Sequence, residues 1–241
     1  MVAVAGFIIG ALTGLTGVGL GSLTVPLIAY LFGLSANRAR GTALILMLAA
    51  ALPSAIIYTK AGYMDWAPAG LATLGMVAGA IAGTRLTVRR NLSIFRKLVA
   101  LLLAAAGIYI AVVSSGQPGS AGLSLLQGLA IGFGSGLIGG MAGVAGGSLL
   151  ISALVIFFAV PQKLAQAVAL VVIIPASLPL VIVYYIGNRA DRKIMLQLAV
   201  GGALGACVGS VAAIEMPEPL LMVVFGVFSA VIAVITFTKG R

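Results

Sequence analysis

Histidine is absent from this 241-residue chain, cysteine occurs once, and acidic residues number four. Without imidazole there are no parts for a serine–histidine protease, for histidine-ligated haem or for histidine-based metal catalysis. The lone Cys207, set among Gly205, Ala206 and Val208, can form neither an internal disulfide nor a dithiol and reads as a small packing residue. Asp65, Asp191, Glu215 and Glu218 fall at the ends of apolar stretches, so no carboxylate pair, proton relay or acidic cation site is available at depth. These absences describe a non-enzyme with no catalytic residues, no metal and no cofactor.

Charge of either sign is scarce as well: 7% of residues are charged against 62% hydrophobic, and the mean hydropathy is +1.25. A water-soluble fold of this size could not cover its surface with polar atoms, so the bilayer is the expected solvent and the cell membrane the expected location. Apolar runs near 41–59, 66–84, 98–114, 165–187, 194–214 and 219–238 each approach the roughly 20 residues of a spanning helix. Helices are expected throughout, because lipid satisfies no backbone group. The opening runs, 2–34 and 122–160, are different. A straight helix of that length would overshoot a hydrocarbon core of roughly 30 Å, so each is expected to break and bend. The N-terminus lacks a charged region before its apolar run, so no cleaved signal peptide is expected. The net charge of +10 does not point to nucleic acid, because the basic residues punctuate helix ends instead of gathering on one solvated face.

Against this background one pattern is written twice, 126 residues apart. Gly14-Leu-Thr-Gly17-Val-Gly-Leu-Gly21-Ser22 becomes Gly140-Met-Ala-Gly143-Val-Ala-Gly-Gly147-Ser148. The register then holds without a gap, pairing Gly6, Gly10, Pro53, Tyr58, Asp65, Gly75, Gly79 and Gly83 with Gly132, Gly136, Pro179, Tyr184, Asp191, Gly201, Gly205 and Gly209. Two glycine-interrupted apolar segments in corresponding positions of two halves point to a midplane binding site in a secondary transporter. The chain divides into repeats 1–115 and 122–241 of one membrane domain, 1–241, joined by a short linker near 114–120.

Charge counting sets the expected topology. If each opening run is a hairpin returning to its starting side, three full crossings remain per repeat. Twelve basic residues then lie inside, from Arg38 and Arg40 to Lys239 and Arg241, and only Lys60 and Lys163 outside. An odd number of crossings makes the second repeat enter the membrane upside down. The expected fold is thus an all-α integral membrane protein of two inverted repeats, each a broken or re-entrant helical hairpin plus three transmembrane helices, about eight apolar segments in all, with both termini cytoplasmic.

The interrupted segments carry the candidate site. A helix restarting after a glycine break presents free N–H groups and the positive end of its dipole, which suits an anion. The expected binding residues are Gly17, Gly19, Gly21, Ser22, Gly143, Gly146, Gly147 and Ser148, with the serines as N-caps or ligand donors and both positive helix ends meeting near the midplane. Gly75, Gly79 and Gly83, with Gly201, Gly205 and Gly209, recur every four residues and read as a packing stripe. Pro53, Pro175 and Pro179 should kink their spans. Tyr58 and Tyr184 lie at span ends and read, with Trp66, as interfacial anchors. Asp65 and Asp191 read as partners of Lys60 or of Arg189 and Arg192. The expected partners are therefore a small anionic substrate and lipid. A channel-like anion conduit and a non-transporting scaffold, whose glycines only pack, are the alternatives.

Gly17-Val-Gly-Leu-Gly21-Ser22-Leu-Thr-Val-Pro26-Leu, the following Arg40-Gly41-Thr42-Ala43, and Gly143-Val-Ala-Gly-Gly147-Ser148 resemble the sulfite exporter TauE/SafE (TSUP) family over almost the whole chain. The family's run of three glycines is interrupted here by Leu20 and shortened by Ala145, and Ser152 stands where a second proline would fall. The resemblance implies export of sulfite, sulfonates or similar small sulfur-containing anions; the residues by themselves reach only a small anion.

Overall fold

A computed structural model describes residues 1–17, 21–87, 101–102, 104–110, 124–142, 146–186 and 192–239. All regular structure among them is helical: α1 (Val2–Thr16), α2 (Gly21–Phe32), α3 (Ala36–Lys60), α4 (Trp66–Thr87), α5 (101–102 and 104–110), α6 (Leu125–Ala142), α7 (Gly147–Phe158), α8 (Gln162–Ile186), α9 (Arg192–Glu215) and α10 (Glu218–Lys239). The linker near 114–120 and the basic run Arg89, Arg90, Arg96 and Lys97 lie outside the described residues.

The 126-residue register of the sequence reappears in the helix boundaries. α2 and α7 start at Gly21 and Gly147 and end at Phe32 and Phe158, while α3 and α8 match at both ends. Even the left-handed residues that close the short helices correspond, Gly33 with φ 61° and Ala159 with φ 48°. Both opening runs are broken, as their length demanded: α1 and α2 are separate helices, and so are α6 and α7. α3 continues through Pro53 and α8 through Pro175.

The glycine stripes make the closest seams. A Cβ placed on Gly6, Gly10 or Gly14 of α1 would stand against backbone of Leu198, Gly202 or Ala206 on α9. On Gly132, Gly136 or Gly140 of α6 it would meet Ala72, Met76 or Ala80 of α4, the same pairs with the halves exchanged. In each seam the residue numbers rise together, so α1 runs parallel to α9 and α4 to α6. Leu46 against Gly202 and Ser54 against Ser210 set α3 parallel to α9 in the same way. Small residues allow this approach, which is how helices associate where lipid removes the hydrophobic drive between them.

Away from the seams the surface is apolar. Leu196, Val200, Leu204, Val208 and Val211 form an exposed line along α9, and Leu220, Val223, Val227, Val231 and Val234 another along α10. Water-facing monomers rarely expose such stripes. Among the described residues, Gly41–Lys60 and Ile194–Glu215 are long and apolar enough to cross a membrane, with shorter apolar stretches such as Ala69–Gly83, Gln162–Leu178 and Glu218–Val231 in α4, α8 and α10.

One end of the bundle is tied by polar contacts. Lys163 is only 8% exposed; its Nζ donates to Ile214 O at the end of α9 (2.7 Å), its backbone N–H donates to Glu218 Oε1 (3.3 Å), and the ammonium lies 5.3 Å from the centre of the Tyr63 ring. A cation at a helix C-terminus is favourable for the dipole. Nearby in the chain, Asp65 Oδ1 accepts from Ala67 N–H, so this carboxylate caps α4 where the sequence suggested a partner for Lys60. Trp66 is exposed at the start of the same helix.

Candidate functional site

The first break is built on the C-terminus of α1. Thr13 and Thr16 turn their hydroxyls back to Ile9 O and Leu12 O, and Gly17 closes the helix in the left-handed conformation (φ 65°) with its N–H donating to Thr13 O at 2.8 Å. Gly17 is the residue type this turn requires, because a side chain at positive φ is strained and here would also collide with Gln166 Cγ and Cβ, 2.7 and 2.8 Å from its Cβ. Gln166 comes from α8, in the other half of the chain.

Around that contact lies a buried polar cluster drawn from four helices. The Tyr58 hydroxyl on α3 donates to Gln166 Oε1 at 2.6 Å, with Gly14 O at 3.3 Å as a second acceptor. One turn earlier on α3, Ser54 accepts from the Ser210 hydroxyl of α9 at 2.8 Å. Tyr58, Gln166, Ser54 and Ser210 are all fully buried. Tyr58 is therefore no interfacial anchor, contrary to the reading from its position near a span end. α3 extends to Lys60, and α1 and α8 meet the Tyr58 hydroxyl. The Tyr184 side chain lies outside the described ones.

The second break ends at the start of α7. Gly146 is the N-cap of α7, with no side-chain cap, and a Cβ on it would strike the Ser135 carbonyl. Gly147 faces the Ile173 side chain, near the middle of α8. Ser148 is 5% exposed and lies inside α7, which corrects the expectation that it caps that helix. Gln166 and Ile173 share one face of α8, two turns and about 10 Å apart, so α8 touches both breaks at different depths. Gly19 and Gly143 fall outside the described residues, and Gly21 and Ser22 are described only as the first backbone positions of α2.

The model of the family described as Sulfite exporter TauE/SafE matches residues 1–110 and 128–241. The chain belongs to the TauE/SafE family. It is thus a membrane protein of a transporter family. A relative from Bacillus subtilis (strain 168), "Probable membrane transporter protein YunE", is 26% identical over 233 residues, which cover 86% of this TauE/SafE chain and 85% of the relative. No solved structure matches.

Sequence reasoning missed the residues that α8 brings to the candidate site of this TauE/SafE chain. Gln166 stands inside the apolar run near 165–187 and Gln162 just ahead of it, yet both are fully buried. The available signal was their spacing: two carboxamides four residues apart stand on one helical face.

Proposed function

We propose that this chain is a secondary transporter that exports a small sulfur-containing anion, sulfite or a sulfonate, by alternating access of two inverted repeats. The observation that carries the reading is the polar cluster at the Gly17 break, because irregular backbone and buried polar groups at membrane depth are tolerated only where protein or a hydrated cavity surrounds them. The substrate is bound by Gly17, Gly19, Gly21 and Ser22 from one repeat and Gly143, Gly146, Gly147 and Ser148 from the other. The uncapped N-terminus of α7 and the start of α2 supply amides and positive dipole ends. An inside-negative potential drives anion exit by about 2.3 kcal/mol per charge per 100 mV. The name of the Bacillus subtilis relative, a probable membrane transporter, agrees with this reading.

The inverted arrangement is supported by the exchanged seams and by the end-to-end sorting of charge. Lys60, Lys163, Glu215 and Glu218 gather where α3 and α9 end and α8 and α10 begin, whereas Arg38, Arg85 and Arg192 stand at the far ends of α3, α4 and α9. Cysteines introduced at Arg89 and Arg192 are expected to be labelled from the cytoplasmic side only, and one at Glu218 from outside only. Labelling of the first two from opposite faces would contradict the topology. Function is tested by sulfite efflux from proteoliposomes: saturable efflux with accelerated exchange against trans sulfite is expected. Efflux without saturation or counterflow identifies a conduit, and no flux of any sulfur oxyanion leaves a scaffold.

A further inference from the structure

Three amide atoms in the first turns of α8, Nε2 and Oε1 of Gln162 and Nε2 of Gln166, are buried with no hydrogen-bond partner among the described residues. Both residues are 0% exposed. Such groups are rarely left unpaired, because burial strips them of water and returns nothing. The Gln166 amide is also held in place. Tyr58 holds Gln166 Oε1 at 2.6 Å, which fixes the carboxamide and leaves its NH₂ as the open donor, and the stem of Gln166 lies against Gly17. Gln162 stands one turn away on the same face, about 6 Å nearer the Lys163 end of the bundle.

We infer that Gln162 and Gln166 form an uncharged oxyanion subsite on the path between the Lys163 end of the bundle and the Gly17 break. This rests on the transport reading above and adds residues that no glycine motif contains. Carboxamide N–H groups donate to sulfite oxygens at both rungs, and Gln162 Oε1 accepts from a protonated oxyanion or a water that travels with it. The nearby cation does not compete, since Lys163 Nζ is held by Ile214 O and stacked over Tyr63. Neutral donors suit conduction: a fixed charge in a buried passage would retain the anion, whereas paired dipoles bind it well enough to enter and weakly enough to leave. Tyr58 acts as the positioning residue for Gln166.

The test uses the full-length protein and sulfite, with Gln162→Leu and Gln166→Leu measured separately. Gln162→Leu removes a buried amide with no partner among the described residues, so its melting temperature without ligand is expected to stay level or rise, whereas Gln166→Leu also leaves the Tyr58 hydroxyl with Gly14 O alone and is expected to lower it modestly. The KM for sulfite efflux is expected to increase about tenfold or more at each position, the loss of a hydrogen bond to a charged group, and the sulfite-induced rise in melting temperature should shrink in step. Tyr58→Phe should raise KM with little change in kcat. Should either leucine variant fold poorly, Gln162→Met or Gln166→Met gives the same comparison at that position with a flexible side chain. Leucine variants that keep the unmodified KM and the full sulfite-induced shift would overturn the subsite while leaving the transport reading intact. An unmodified protein that neither moves nor is stabilised by sulfite would overturn both.

Discussion

Gly10→Val is expected to yield no monodisperse protein, or a protein destabilised by at least about 3 kcal/mol, the upper end of ordinary core overpacking. The reason is what a Cβ meets there: the carbonyl oxygen, carbonyl carbon and Cα of Gly202 would all lie within 3.0 Å. These are backbone atoms of a parallel helix and cannot rotate aside, so α1 must move away from α9 along the whole seam. Gly70 on α4 supplies the control, since nothing lies within 4 Å of a Cβ added to it. Gly70→Val should melt at or slightly above the unmodified temperature, because valine has the better helix propensity. Size-exclusion profiles and thermal melts of the two variants in the same detergent decide the matter. Equal stability would mean that the seam is not closed by these glycines.

Gly17→Val should fold but transport poorly. Holding a β-branched residue at φ 65° costs on the order of 1–2 kcal/mol, which a bundle of this size survives. The side chain would also displace Gln166 and with it the pairing to Tyr58. Sulfite efflux is expected to fall at least about tenfold, equivalent to 1.4 kcal/mol of lost interaction. Gly33 separates backbone strain from damage to the site. It has a similar φ of 61° with nothing within 4 Å, and the residue 126 positions on, which also has positive φ, is already an alanine, Ala159. Gly33→Ala should therefore leave transport unchanged while Gly17→Ala impairs it. Equal effects of the two alanines would assign the loss to strain alone.

Much of the fold was legible because it depends on spacing. The 126-residue register, the four-residue glycine period and the excess length of the opening runs are properties of the chain itself, and each has a direct counterpart in helix boundaries and seams. The surroundings of individual side chains were less legible. Tyr58 lies two residues from the end of α3, and nothing local reveals that Gly14 and Gln166, from two other helices, enclose it. Lys163 follows the same logic: its sequence neighbours suggest an exposed loop, but the carbonyl at the end of α9 and the Tyr63 ring draw it inward. Asp65 was read by charge, when its place just before α4 made it a cap. Gln166 was hidden by composition, since one amide barely lowers the hydropathy of a long apolar run, and Gln162 by its place just before that run.

The exchanged seams impose an order on biosynthesis. Gly6 finds its partner at Leu198, whereas Gly75 of α4 finds its own at Leu129, so the α4–α6 seam can close soon after α6 leaves the ribosome. α1 is made first, yet its glycine face is covered only once α9 arrives. Through most of synthesis its glycine face must wait in the membrane with no cognate surface, a target for chaperones, for neighbouring chains or for the first half of another copy. Neither half can complete its own packing, and a nascent chain truncated before α9 would carry an orphan helix that the quality-control machinery of the membrane could recognise.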